Sequence, residues 1–119
     1  MAVSEAFRIA EGFGVDARLL TEVIANSSGR TWIMEHSHPV PGIVPRAASS
    51  RDYAPGFTVD LMCKDLGLAV NAARELRIPA AVASAAQQVL RMASSHGYGR
   101  KDVSSVYAFL EASRVDAPV

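Results

Sequence analysis

Residues 56–69 read Gly-Phe-Thr-Val-Asp-Leu-Met-Cys-Lys-Asp-Leu-Gly-Leu-Ala, and they predict the entry into a long helix that runs to about Leu76. Apolar residues recur on this helix at spacings of three and four, which is typical of a helix face packed in a core. They are Met62, Leu66, Ala69, Ala73 and Leu76. A second line of residues is polar and contains a glycine, so it is predicted to be open to another surface. This line comprises Asp60, Lys64, Gly67, Asn71 and Glu75.

Asp65 fits neither face of the predicted helix. Its neighbours along the helix surface are Leu61, Leu68 and Ala72. An unpaired carboxylate among apolar groups is costly, so Asp65 is expected to need a partner. The alternative is an ordinary bundle helix whose charges are solvated, with Asp60 and Lys64 forming a surface pair that contributes a few tenths of a kcal/mol.

Several segments resemble one enzyme family. Residues 56–69 look like the signature that opens the longest helix of the C-terminal domain in 3-hydroxyisobutyrate dehydrogenases. Further segments resemble the family in the same order: Ser4-Glu5-Ala6, Ser27-Ser28-Gly29-Arg30, Pro39-Val40-Pro41-Gly42 and Lys101-Asp102-Val103-Ser104-Ser105-Val106. The resemblance covers nearly the whole chain.

The resemblance implies a fold and a place in an enzyme. The expected fold class is all-α, a bundle of about five helices like the C-terminal domain of 6-phosphogluconate dehydrogenase-like enzymes, with residues 1–119 forming that single domain. The complete enzyme would oxidise 3-hydroxyisobutyrate to methylmalonate semialdehyde in valine catabolism. NAD would be its cofactor, bound mainly by an N-terminal Rossmann domain that this chain lacks. NADP remains open as the cofactor, as does the exact hydroxyacid.

Three site residues follow from the resemblance. Lys64 matches a lysine that reaches the bound cofactor, and Phe57 matches an aromatic residue that closes over the substrate side of the site. Asp65 matches a carboxylate that supports the catalytic lysine of the family. That lysine would be the partner that the Asp65 carboxylate is expected to need. That general-acid lysine is expected upstream of Met1, so no catalytic residue is assigned here and the isolated chain is predicted to be inactive.

Composition limits the other function classes. The chain has 119 residues, half of them hydrophobic, and a formal net charge of zero. A neutral chain without a basic cluster offers no footprint for nucleic acid or an anionic membrane. The chain has no apolar run that approaches a membrane span and nothing at its start that resembles a secretion signal, which predicts a soluble, intracellular protein. The family resemblance implies the cytoplasm in bacteria or the mitochondrial matrix in eukaryotes.

The rest of the chain predicts further helices. Met1 to Phe13 forms the first, with Phe7 and Phe13 facing inward, and it looks like a longer helix cut in the middle. Asp16 caps a second helix to about Ala25. Trp32 is predicted to be a buried anchor in a short turn.

Two later helices complete the pattern. One runs from about Ala81 to Ser95, with Val82 inward and Gln87 outward. Asp102 caps the last helix, and residues beyond Ser113 are expected to fray.

Residues 35–56 are rich in proline, so they predict a long loop. Arg46, Arg51 and Tyr53 lie in this loop and could meet an anionic ligand or a partner subunit. A solvated loop that only wraps the bundle is the alternative.

Other chemistries find little support in the residues. His36 and His38 are two apart, but a metal site needs three or four ligands and only His96 remains, so no metal is predicted. Cys63, the single cysteine, is interpreted as a small buried thiol. The sequence has neither a G-x-G-x-x-G motif nor a P-loop to hold a phosphate.

The expected partners are a second copy of the chain, as a homodimer, and a small 3-hydroxyacid in the complete enzyme. Two alternatives stay open. One is a standalone, non-catalytic helical module that dimerises or binds a small acid. The other is a subunit completed in trans by a separate Rossmann chain.

Overall fold

The computed structural model describes residues 1–115, which form a helical domain. Its α-helices are α1 (Ala2–Gly12), α2 (Ala17–Ala25), α3 (Trp32–His36), α4 (Val59–Glu75), α5 (Ala81–Ala93) and α6 (Val106–Ala112). Short 3₁₀ turns occupy Ala48–Arg51 and Val103–Ser105, and a π turn, Ser94–Tyr98, follows α5. About five helices and a short turn with Trp32 were predicted, and in residues 1–115 this turn forms a sixth, five-residue α-helix. The predicted fraying beyond Ser113 concerns in part residues 116–119, which lie outside the described residues.

Side-chain caps mark the starts of α2, α3 and α4. The Asp16 carboxylate accepts the amide protons of Arg18 and Leu19 at 2.9 and 3.0 Å, which confirms its predicted capping role. The Thr58 hydroxyl accepts the Leu61 amide proton at 3.3 Å, so Thr58 caps α4, which begins at Val59. These side chains satisfy amides that a helix leaves without partners in its first turn.

Two apolar clusters form the core. The first joins α1, α3, α6 and the long loop through Phe7, Met34, Val40, Tyr53 and Tyr107. The second joins α4, α5 and α6 through Val59, Leu90, Ala93, Val106 and Phe109. Helix α6 contributes to both clusters, so it connects the two halves of the domain. Each large side chain buried in this way stabilises the fold by roughly 1.5–3 kcal/mol.

Some predicted core residues face solvent. Trp32 was expected to be a buried anchor, but it is 63% exposed and stacks on His36 with ring centroids 4.6 Å apart. Phe13 and Val82 were expected to face inward and are each 85% exposed. Periodicity identified the apolar stripes correctly, but no element in residues 1–115 covers the ends of these stripes.

The contact between α4 and α5 corrects two further predictions. Gln87 was expected to face solvent, but it is buried and its amide donates to the Cys63 carbonyl at 3.3 Å. Gly67 was assigned to an open polar face, yet a Cβ there would lie 2.8 Å from Gln87 Nε2. The surface that comes close to this glycine is therefore α5 of the same chain.

The loop before α4 is tied to the segment before α6. The amide of Val59 donates to the Lys101 carbonyl at 3.0 Å, and the amide of Val103 donates to the Phe57 carbonyl at 2.8 Å. Thr58 and Asp102 form an isolated antiparallel bridge between these bonds. This junction fixes the position of Phe57 and the start of α4.

Candidate functional site

A cavity of about 740 Å³ opens between the first turn of α1, helix α3, the long loop and the start of α4. Its apolar wall consists of Phe57, which lies before α4, together with Met62 and Leu66 of α4 and Leu90 of α5. Arg46 and Arg51 line the side formed by the long loop. This volume lies within the range of small-molecule sites, which combine an apolar lining with a few polar groups.

Internal hydrogen bonds hold the long loop in place. The Ser49 hydroxyl donates to the His38 carbonyl at 2.6 Å, and the Tyr53 hydroxyl donates to the Pro39 carbonyl at 3.1 Å. His38, Ser49 and Tyr53 are all buried. The loop is therefore packed into the domain, which excludes a purely solvated loop and places Arg46 and Arg51 at the cavity.

Two buried groups in the loop have shifted proton affinities. Burial lowers the pKa of the His38 imidazole, because the charged ring would lose its hydration. Burial raises the pKa of Tyr53 to about 12 for the same reason, since its charged form is the deprotonated one. Both groups are therefore neutral at pH 7 and serve as packing and hydrogen-bonding groups.

Phe57 lies in the cavity wall with 41% of its surface exposed. Its amide donates to the Asp102 carboxylate at 3.2 Å. The sequence predicted Asp102 only as a helix cap. Its contact with Phe57 spans 45 positions of the chain, so no local sequence signal could have revealed it.

Lys64 and Asp65 lie together on the outer face of α4. Lys64 Nζ is 3.2 Å from Asp65 Oδ1, and the two side chains are 62% and 48% exposed. Neither residue lines the cavity. An exposed pair of this kind contributes less than about 1 kcal/mol, so both side chains are free to exchange partners.

Asp65 was expected to need a partner among its apolar neighbours, and it pairs with Lys64 in the structure. Its neighbours Leu61 and Leu68 are themselves 42% and 63% exposed, so the carboxylate stays hydrated. The surface pair of Asp60 with Lys64, which belonged to the alternative interpretation, does not form. Asp60 instead accepts a hydrogen bond from the Ser94 hydroxyl at 2.6 Å.

Within residues 1–115 no group of three or more His, Cys, Asp or Glu side chains converges as a metal site would require. None of the helices in the same range is long and apolar enough to cross a membrane.

Comparison with known proteins assigns this helical domain to a family of dehydrogenases. Residues 1–110 match the family model described as "NAD-binding of NADP-dependent 3-hydroxyisobutyrate dehydrogenase". The chain belongs to this family.

Individual relatives agree with the family match. The mitochondrial 3-hydroxyisobutyrate dehydrogenase of Rattus norvegicus is 40% identical over 110 residues, which are 92% of this chain and 33% of that protein. The mitochondrial enzyme of Drosophila melanogaster is 40% identical over 114 residues, covering 96% of this chain and 35% of its own length. The chain therefore spans about a third of the length of the curated relatives it matches.

Solved structures give the same relationship. The 3-hydroxyisobutyrate dehydrogenase of Mycobacterium tuberculosis, solved with L-serine, superposes with a TM-score of 0.86 at 36% identity. The match covers 92% of this chain and 37% of that one. The Salmonella typhimurium enzyme gives a TM-score of 0.76 at 31% identity, over 91% of this chain and 35% of its own.

These matches correct the predicted fold class. The sequence resemblance assigned the chain to a C-terminal helical domain of the 6-phosphogluconate dehydrogenase-like type, with NAD bound mainly elsewhere. The family model that matches residues 1–110 is instead described as NAD-binding. The assignment was wrong because it linked NAD binding to a glycine-rich strand–turn–helix unit, whereas the region that matches the NAD-binding model is helical. The prediction of a nicotinamide cofactor agrees with this description, which names both NAD and NADP.

Proposed function

We propose that this chain is the helical NAD-binding domain of a dehydrogenase that oxidises 3-hydroxyisobutyrate to methylmalonate semialdehyde with NAD, a step of valine catabolism. The observation that carries the proposal is the family match over residues 1–110. Identity of 40% to the rat and fly enzymes over more than nine-tenths of the chain supports it.

In this proposal Lys64 contacts the bound cofactor. Its side chain is mostly exposed, and its pairing with Asp65 is weak enough to be exchanged for a cofactor group. A lysine ammonium on a flexible four-carbon stem suits such a reach, because it can follow the cofactor as a mobile point charge.

Asp65 supports the catalytic lysine of the complete enzyme. Its carboxylate is half exposed and adjacent to Lys64, so it is available to a second cation. A carboxylate near the catalytic lysine would favour the charged form of that lysine, which a proton donor to a developing alkoxide requires. Phe57, in the cavity wall, closes the substrate side of the site.

The rest of the dehydrogenase completes the site. Residues 1–115 contain helices and one isolated bridge but no strand–turn–helix unit to cradle a pyrophosphate, so the Rossmann unit and the general-acid lysine are assigned to the remainder of the enzyme. The isolated chain is accordingly proposed to be inactive. Self-association as a homodimer is part of the proposal, supported by exposed apolar residues of α4 and the turn that follows it: Leu61, Leu68, Leu76 and Ile78.

A chimeric dehydrogenase tests the proposal. In it, residues 1–110 of this chain replace the matching segment of the rat 3-hydroxyisobutyrate dehydrogenase. The expected result is NAD-dependent oxidation of 3-hydroxyisobutyrate. A chimera that folds, as judged by circular dichroism and a cooperative melt, but has no activity would contradict the assignment.

Lys64→Ala in the chimera tests the cofactor contact. The Michaelis constant for NAD is expected to rise about tenfold or more, because a charge-assisted contact is lost. Arg74→Ala, which removes another exposed cation from the same helix, is the matched control and should leave that constant unchanged. An unchanged Michaelis constant for NAD in the Lys64 variant would remove Lys64 from the cofactor site.

A further inference from the structure

Asp102 uses its two carboxylate oxygens for different purposes. Oδ1 accepts the amide proton of Ser104 at 3.0 Å and its hydroxyl proton at 2.6 Å, which caps the turn that leads into α6. Oδ2 accepts the amide proton of Phe57 at 3.2 Å. The residue is only 8% exposed, so these bonds form away from bulk water, where they are stronger.

The backbone next to Asp102 also helps to hold Phe57 in place. The Val103 amide donates to the Phe57 carbonyl at 2.8 Å, so both polar backbone groups of Phe57 are held by the 102–103 segment. Gly56 allows this close approach, since a Cβ there would lie 3.0 Å from Asp102 Oδ2. The backbone that carries the Phe57 ring is therefore held by one buried side chain, Asp102, and by the backbone amide of Val103.

We propose that Asp102 is a positioning residue of the dehydrogenase site, which holds the Phe57 ring at the cavity wall through the bond from Oδ2. The catalytic consequence of this inference rests on the proposed function, whereas the hydrogen bond between Asp102 and Phe57 is independent of it. The cap at Ser104 needs only Oδ1, so helix capping alone does not explain the second oxygen. Asp102 itself also lines the cavity, beside Phe57.

Asp102→Asn separates the two roles. Asparagine caps helices about as well as aspartate, so its amide oxygen retains the bonds from Ser104. Its amide nitrogen then faces the Phe57 amide, and two donors meet where a donor and an acceptor met before. The variant thus keeps the cap and the shape of the side chain while it removes the grip on Phe57.

Amide hydrogen exchange in the 119-residue chain tests the bond without any enzyme assay. In Asp102→Asn, the exchange of the Phe57 amide is expected to accelerate about tenfold, as for the loss of a bond to a charged group. The Ser104 amide should keep its protection. Asp52→Asn, which changes a 93% exposed carboxylate beside Lys101, is the control and should alter neither. Unchanged exchange at Phe57 in Asp102→Asn would overturn the proposal.

A double-mutant cycle in the chimeric dehydrogenase tests the catalytic consequence. Asp102→Asn is expected to lower kcat/KM for the hydroxyacid about tenfold and to leave the Michaelis constant for NAD unchanged. In a Phe57→Ala background the same change should have little further effect, because Asp102 acts through Phe57. Fully additive effects would overturn the positioning role. If the folded wild-type chimera is inactive, the proposed function fails, and the exchange experiment still decides whether Asp102 positions Phe57.

Discussion

His38 Nε2 lies 3.0 Å from the Thr21 hydroxyl, in the buried contact between the long loop and α2. The Thr21 hydroxyl donates its own proton to the Ala17 carbonyl at 2.7 Å, so it accepts the proton carried by Nε2. The other ring nitrogen, Nδ1, accepts the Val40 amide proton at 3.1 Å. Both nitrogens of the neutral ring are therefore satisfied, and a second ring proton would face the Val40 donor.

We expect this arrangement to make folding sensitive to acid. Burial lowers the pKa of His38 in the folded chain, whereas in the unfolded chain it is near 6.5. The unfolded state therefore binds the proton first, and stability that is fully present above that pH is lost as the pH falls below it. The slope is at most about 1.4 kcal/mol per pH unit for one group.

Urea unfolding at a series of pH values from neutral to mildly acidic would measure the effect. His38→Gln should be less stable at neutral pH and show a flatter profile, while His96→Gln, a change at an exposed ring, should keep the wild-type profile. A wild-type profile that is flat below the pKa of free histidine would contradict the prediction, whether or not the His38 variant folds.

At alkaline pH the stability of the fold is instead expected to fall as the pH rises. Burial raises the pKa of Tyr53 to about 12, above the value of about 10 for an unfolded tyrosine. The unfolded chain thus loses the proton first, and the stabilisation contributed by the neutral phenol is lost between these two values. Thermal melts across this pH range should show a smaller fall in melting temperature for Tyr53→Phe than for the wild type. An equal loss in both proteins would argue against the buried phenol as a cause.

Phe7 of α1 and Phe13, which follows this helix directly, provide a matched pair for core packing. Phe7 is fully buried and lies edge-on to His38 with ring centroids 4.8 Å apart, whereas Phe13 is 85% exposed. Phe7→Ala is expected to lower the free energy of unfolding by about 3–5 kcal/mol. Phe13→Ala should change it by less than about 0.5 kcal/mol. Chemical denaturation of both variants would measure this difference, and similar losses would mean that Phe13 is covered in solution.

Two helical glycines make a second pair. Gly12→Ala adds a Cβ with no atom within 4 Å and should stabilise the domain by up to about 1 kcal/mol through helix propensity. Gly67→Ala should show little or no gain, because its Cβ would displace Gln87 from the Cys63 carbonyl. Adding Gln87→Ala to Gly67→Ala would separate the gain in helix propensity from the cost of displacing Gln87. The double variant should be more stable than Gln87→Ala alone. The same penalty in both backgrounds would rule out Gln87 as its cause.

Local sequence signals predicted the helices well and the partners of their faces poorly. Asp16 is the predicted cap, and α2 begins and ends where the pattern indicated. The inward orientation of Val82 and the outward orientation of Gln87 were both wrong. A helical period shows which residues share a face, but which face finds a partner depends on how α4 and α5 approach each other, and Gly67 sets that approach.

The candidate site was predictable only where its residues carry a local signal. Arg46 and Arg51 were flagged from the loop that contains them and do line the cavity. The role of Asp102 beside Phe57 depends on a contact between distant segments, and the burial of His38 depends on packing against Phe7 and Thr21. Neither has a periodic or motif signature. The roles of Lys64 and Asp65 come from family resemblance and remain predictions.

The junction between the loop before α4 and the segment before α6 has a consequence for chain connectivity. It closes the base of the α4–α5 hairpin, so the covalent turn at the opposite end, where Arg77 has a φ of 57°, is not the sole link between the two helices. A chain cut between Arg77 and Ile78 should therefore reassemble from its two fragments, held by the packed helices and by the bonds at Val59 and Val103. This turn is accordingly the place to split the domain for fragment complementation or to open it for circular permutation.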